Sequence, residues 1–224
     1  MTIGSLATRA IARFYAARDL TLRVEGLEHL PAEGPVLIAA RHYHHLYDGA
    51  ALVGALPRTV HLFVALDWTR NAWERRVMEE LCRLADWPVA LRGEGLARIR
   101  SGGFAQGEIA RYVRTSLATG ARLLREGRVL AVFPEGFPTI DPEGSRKPSD
   151  DAFLPFRPGF LAIVALAQRS GARIPIVPAG LAYTRGVRWQ VALRFGAPLY
   201  LESESRRATL LEAVSARVKT LSAA

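Results

Sequence analysis

Apolar positions along this chain fall into short blocks with two distinct periods. Residues 36–40 and 129–133 are unbroken apolar runs of strand length, the pattern of strands buried on both faces. Residues 20–24, 60–65, 89–91 and 174–177 are further short β-like stretches, and 189–195 alternates in polarity. Between them, residues 48–56, 72–84, 109–125, 160–169 and 205–221 read as helices, the third ended by Gly127. Strands alternating with helices predict a single α/β domain with a largely parallel central sheet flanked by helices. In such sheets, sites collect at the carboxyl ends of the strands, so chemistry is expected in the residues that follow each strand.

The start of the chain carries a different pattern. Ile3, Leu6, Ala10, Phe14 and Ala17 share one face of a helix, with Arg9, Arg13 and Arg18 along its flank. That distribution predicts an amphipathic helix lying in a membrane interface; the alternative is an ordinary helix packed on its own domain. The expected division is a membrane-associating helix over 1–19 and the folded domain over 20–224. The three arginines interrupt any signal-peptide core, and no apolar run approaches the ~20 residues that span a bilayer.

Charge narrows the class of partner. Thirty basic against 21 acidic residues give +9, and Lys147 and Lys219 are the only lysines, so the charge is almost all arginine. An anionic partner follows: a phospholipid surface, a phosphate-bearing small molecule or nucleic acid. Cys82 is the single cysteine. It excludes a disulfide framework and a cysteine-based zinc site, and leaves the cytosol as the expected compartment.

The 36–40 strand runs into Arg41-His42-Tyr43-His44-His45-Leu46-Tyr47-Asp48-Gly49, where three of the five histidines fall within four positions. Histidine takes up a proton near neutral pH, and a carboxylate on its other ring nitrogen fixes the tautomer and stabilises the cation. A metal cluster is a competing use of these residues. It needs further ligands, and the one histidine downstream is His61, inside a predicted strand. The 129–133 strand runs into Phe133-Pro134-Glu135-Gly136, a turn able to set a carboxylate and backbone N–H groups beside a substrate. Ile174-Pro175-Ile176-Val177-Pro178 reads as a buried strand and carries no chemistry alone.

In this order the blocks resemble the glycerolipid acyltransferase family that includes the lysophosphatidic acid (1-acylglycerol-3-phosphate) acyltransferases. Its blocks are a His-x4-Asp, an arginine block, Phe-Pro-Glu-Gly-Thr-Arg and a proline-rich apolar strand. The lead-in Val24-Glu25-Gly26-Leu27-Glu28-His29-Leu30-Pro31 is similar to the family's approach to its histidine. Leu154-Pro155-Phe156-Arg157-Pro158-Gly159 and Phe195-Gly196 with Pro198 are similar to its later elements, so the resemblance covers about residues 24–199. It implies a glycerol-3-phosphate acyltransferase-like fold and direct transfer of an acyl chain from acyl-CoA or acyl-carrier protein. The implied acceptor is a lysophospholipid hydroxyl, in phospholipid biosynthesis, with no cofactor and no metal.

Three departures from the family pattern shape what it implies. Tyr43, not histidine, stands five residues before Asp48. Counting from the strand end makes His42 the base with one extra residue before Asp48, its orienter; helical spacing makes it His44, one turn from Asp48. The strand anchor favours His42. Next, Trp87-Pro88-Val89-Ala90-Leu91-Arg92 keeps the second block's arginine without its leading glycine, and Arg92 is implied to bind the acceptor's phosphate. Last, Phe137-Pro138 replaces Thr-Arg after the block that holds Glu135 and Gly136, and residues 137–151 read as an enlarged loop. Pro142-Glu143-Gly144-Ser145-Arg146 repeats the pattern with its arginine, which leaves open that Arg146 folds back to supply the missing charge.

Arg157 joins Arg92, Glu135, Gly136 and Arg146 as an implied substrate contact. The expected location is the cytoplasmic, inner face of a membrane, peripheral on anionic lipid, with no nucleic acid expected. Loss of Thr-Arg keeps open an acceptor without phosphate. A basic, non-enzymatic lipid- or nucleic-acid-binding protein is the alternative of a different class.

Overall fold

The computed structural model describes residues 3–92, 106–203 and 206–223. The strands are β1 (Leu20–Glu25), β2 (Val36–Ala40), β3 (Val60–Leu62), β4 (Val64–Ala65), β5 (Val89–Ala90), β6 (Val129–Val132), β7 (Pro175–Thr184), β8 (Trp189–Phe195) and β9 (Leu199–Tyr200). The helices are α1 (Ile3–Asp19), α2 (Tyr47–Ala55), α3 (Ala72–Ala85), α4 (Gln106–Arg125), α5 (Gly159–Gln168) and α6 (Arg207–Leu221). The main sheet runs β1-β8-β7-β2-β6-β3, with β9 beside the start of β7.

The unbroken apolar run of β2 places it at the centre of this sheet, between β6 and β7, with all five residues fully buried. Alternate side chains serve opposite faces. Val36, Ile38 and Ala40 pack in a cluster with Ala12 of α1 and Ala50 to Val53 of α2. Leu37 and Ala39 pack with Leu123 and Leu124 of α4, Leu161 and Val164 of α5, and Val214 and Val218 of α6. The result is helices over both faces of one sheet. β3, β6, β2 and β7 are parallel, so their carboxyl ends open on one side of the molecule.

The expected largely parallel α/β layer is therefore what forms, with two local differences. The run 60–65 divides: Phe63 N–H still donates to Ala131 of β6, but Val64 N–H donates to Pro88, so β4 pairs β5 in a separate small sheet. The strand expected over 174–177 continues to Thr184, because β8 folds back antiparallel on residues 179–184 and satisfies its edge. β1 then pairs parallel to β8, which makes that side of the sheet mixed.

α1 packs through Ala12, Tyr15 and Ala16, and Arg9 donates to the carbonyls of Leu56 and Pro57 at 2.9 and 3.1 Å, beyond the end of α2. Arg9 is thus an intramolecular tie rather than part of a lipid-facing flank. Ala10, Phe14 and Ala17 all stay exposed, as does Ile11; the side chains of Ile3 and Leu6 lie outside those described. No helix among the described residues is long and apolar enough to cross a membrane.

Candidate active site

β2 delivers His42 two residues past its end, and the loop that follows winds back on itself to start α2. Asp48 lies in the first turn of α2, where backbone N–H groups favour an anion, and its side chain has no solvent exposure. His42 Nδ1 meets Asp48 Oδ2 at 2.9 Å. The N–H groups of Tyr43 and His44 donate to the same oxygen at 2.7 and 2.9 Å, and the Tyr183 hydroxyl donates to Oδ1 at 2.7 Å. Four donors fit a carboxylate in its acceptor-only form. The proton of the His42–Asp48 bond then belongs to Nδ1, which leaves Nε2 as the basic atom of a ring 14% exposed. The imidazole lies stacked on Phe133, ring centres 4.4 Å apart.

His44 holds a different post. Its Nδ1 accepts from the N–H groups of Leu46 and Tyr47, at 3.3 and 3.4 Å, where α2 begins. A ring nitrogen that accepts two N–H groups must carry a lone pair. Burial, with His45 beside it, pushes the pKa of His44 down to about 4 despite the opposing pull of Asp48. The geometry therefore gives Asp48's side-chain bond to His42 and leaves His44 as a neutral acceptor at the helix start.

Glu135 is buried at 1% exposure and turned inward. Oε1 accepts from the N–H of His42 at 2.9 Å, and Oε2 from the N–H of Leu154 at 3.0 Å. Lys147, its side chain fully buried, pairs with Glu135 at 2.6 Å and donates to the His42 carbonyl at 2.6 Å. Burial lowers the Lys147 pKa against the pull of Glu135. The enlarged loop is accordingly folded onto the site. Ile140 bridges alongside Tyr43 and His45, and Arg41 holds the Asp150 carbonyl at 2.7 Å.

Gly136 follows with φ +78°, a left-handed turn in which a Cβ would press on the Arg157 guanidinium at 3.2 Å. Its carbonyl accepts from Arg92, whose Nε also meets both oxygens of Asp67 at 2.8 Å. Phe137, buried, is the floor of a cationic group. The guanidinium carbons of Arg146, Arg92 and Arg157 stand 3.7, 3.9 and 5.5 Å from its ring centre. Arg146 does fold back. Phe137, in place of the family's threonine, is the surface on which three arginines gather.

The candidate catalytic and substrate-contact residues thus belong to one continuous region. Sequence reasoning missed Asp67, Lys147 and Tyr183. Lys147 carries a weak signal, one of only two lysines in an arginine-rich chain. Tyr183 shares a strand face with Val177, Ala179 and Leu181, and period-two alternation reaches it once β7 is extended to its true end.

His44 predicts a pH dependence of stability. Between pH 6.5 and about 4 the unfolded chain binds a proton at this position that the folded chain does not, so stability falls as pH falls through that window. Thermal unfolding of wild type and His44→Gln across the window should show the variant's slope reduced; identical slopes contradict the assignment.

A family model described as Acyltransferase matches residues 21–182. The 1-acyl-sn-glycerol-3-phosphate acyltransferase of Bacillus subtilis (strain 168) is 24% identical over 214 residues, 89% of this chain and 87% of that protein. The crystal structure of the 1-acyl-sn-glycerophosphate (LPA) acyltransferase PlsC from Thermotoga maritima is similar with a TM-score of 0.52. That likeness covers 98% of this chain and 82% of the other at 18% identity, and so shows a shared fold. The family match runs from β1 into β7 and encloses His42, Asp48, Glu135 and all three arginines around Phe137, and the chain belongs to the acyltransferase family.

Proposed function

We propose that this acyltransferase moves an acyl chain from a thioester, acyl-CoA or acyl-carrier protein, to a hydroxyl of a phosphate-bearing lysophospholipid. The observation that carries the reading is the short link between base and cations. Glu135 accepts from His42 N–H, and the next residue, Gly136, gives its carbonyl to Arg92 beside Arg146 and Arg157. A base next to clustered guanidiniums suits an acceptor whose hydroxyl and phosphate lie close together. The names of the Bacillus and Thermotoga relatives point to the same acceptor class.

In this mechanism His42 Nε2 takes the hydroxyl proton as the oxygen attacks the thioester carbonyl. The C–O bond forms, the C–S bond breaks, and the imidazolium returns its proton to the departing thiolate. Asp48 holds the tautomer and stabilises the cation between the two steps. Arg92, Arg146 and Arg157 hold the phosphate. Two donor atoms of Arg92 already serve Asp67 and Gly136, so Arg92 positions the group as well as charging it.

His42→Ala should lower turnover by about 10²- to 10⁴-fold, the usual worth of a general base, with the chain still folded. Asp48→Asn should cost a comparable factor, and the double variant little more than either alone. Assays with labelled acyl-CoA and acyl-carrier protein over a panel of lyso-lipids read both the loss and the donor. Full activity of His42→Ala removes the mechanism, and binding of lipid without any turnover favours the non-enzymatic reading.

Arg146 is exposed on the arginine group and gives the cleaner test of acceptor binding, since Arg92→Ala also strips Asp67 of its partner. Arg146→Ala should raise the acceptor's KM by roughly 10-fold, the scale of one charge-assisted hydrogen bond, and leave that of the thioester unchanged. Equal changes in both constants, or in neither, exclude the phosphate role.

The same reading places α1 on an anionic membrane at the cytoplasmic face, since exposed Ile11 and Phe14, with Arg13 nearby on the helix, give it an apolar surface and a charge to match. Replacing Ile11 and Phe14 together by serine should weaken co-sedimentation with anionic vesicles by about 10-fold or more, given the apolar burial lost. Undiminished binding detaches α1 from the membrane.

A further inference from the structure

Tyr183 lies 135 positions from Asp48 in the chain, at the second-to-last residue of β7, and nothing in the acyl-transfer scheme above uses it. Among the described residues its hydroxyl is the one donor to Asp48 Oδ1. His42 Nδ1 and the N–H groups of Tyr43 and His44 all meet Oδ2. The Tyr183 ring is itself fixed. It stacks on Tyr43 with ring centres 4.5 Å apart and planes 10° from parallel, and Trp189 stands edge-on at 5.8 Å. Two stacked tyrosines therefore supply donors to different oxygens of one carboxylate, Tyr43 from its backbone and Tyr183 from its side chain.

We propose that Tyr183 is a positioning residue of the transfer: by occupying Oδ1 it keeps Oδ2 turned to His42 Nδ1, and so keeps Nε2 the basic atom. Without it, Oδ1 is buried and unpaired while Oδ2 has three donors. A carboxylate in that position gains by rotating to share the donors between both oxygens, and rotation draws it off the imidazole. Burial and the charge of Asp48 hold the Tyr183 phenol well above its ordinary pKa, so it stays a donor throughout the neutral range.

The proposal rests on His42 being the base, which His42→Ala tests separately. Y183F removes the hydroxyl and keeps the ring against Tyr43 and Trp189. Turnover should fall about 10-fold, the scale of one hydrogen bond to a charged group, with KM for both substrates within about 2-fold. The Nδ1–H proton resonance of His42 should move in the spectrum of the full chain. In an Asp48→Asn background the same change should add less than about 2-fold, because its target no longer orients the imidazole. A fluorinated tyrosine at position 183 keeps the shape and strengthens the donor, so it should shift the same resonance even where Y183F proves too unstable to assay. A 10-fold loss that persists in Asp48→Asn marks a merely structural role and overturns the proposal, as does a resonance that neither substitution moves. With His42→Ala inactive and Y183F like wild type, the Tyr183 assignment alone falls; with His42→Ala active, the base reading falls first.

Discussion

Asp48 has no contact with solvent, so the protein must supply the solvation its carboxylate loses. That requirement organises the region around it. The loop between β2 and α2 winds so that two consecutive N–H groups reach one oxygen, β7 runs far enough to bring a tyrosine to the other, and the His42 ring completes the set. Glu135 imposes the same demand on the other side of His42, met by two N–H groups and a buried lysine. His42 stands between these two acids. Asp48 holds its ring, Glu135 its N–H, and Lys147 its carbonyl, so the residue proposed as the base is anchored at three atoms. A group so held spends little entropy on reaching a reactive geometry.

The cationic side of the site follows a different logic. Like charges gathered on one spot repel, and here the repulsion is offset in two ways. Asp67 neutralises part of Arg92, and the face of Phe137 offers the guanidiniums a π surface. An aromatic ring where the family carries a threonine therefore still leaves three guanidiniums gathered at this point. It changes the support from a hydroxyl to a ring, and the arginine that a shorter loop would carry arrives from Arg146 on the longer one.

How much of this was legible in the sequence follows from the range of each interaction. The strand runs, the helices and the mixed apolar layers are local or periodic, and they read directly. His42, Asp48, Glu135, Gly136, Arg92 and Arg157 stand at strand exits or in blocks with a recognisable order, so a one-dimensional scan finds them. Tyr183 and Lys147 were not legible, because each acts across more than a hundred residues on a partner no local pattern names. The break between β3 and β4 was hidden for a similar reason. Val64 abandons β6 for Pro88, and nothing in an apolar run announces a change of partner. That Asp48's side chain bonds the ring of His42 rather than that of His44 needed the geometry, since counting residues supports either one.

That pairing also explains how the chain accommodates one residue more between histidine and aspartate than its family's pattern. Linear spacing matters only through where it puts Nδ1 against Oδ2. Here the additional residue lengthens the loop around the carboxylate, and two of the loop's own N–H groups take up bonds to Asp48. His44 then accepts the N–H groups of Leu46 and Tyr47 that the start of α2 would otherwise leave without partners. The slack is closed by hydrogen bonds at both ends. From outside, Ile140 of the enlarged loop bonds to Tyr43 and His45 and fixes the same turn against the sheet. A spacing that reads as a defect along the chain is, in three dimensions, a loop with a partner for each of these groups, and that is the condition under which the His42–Asp48 pair keeps its geometry.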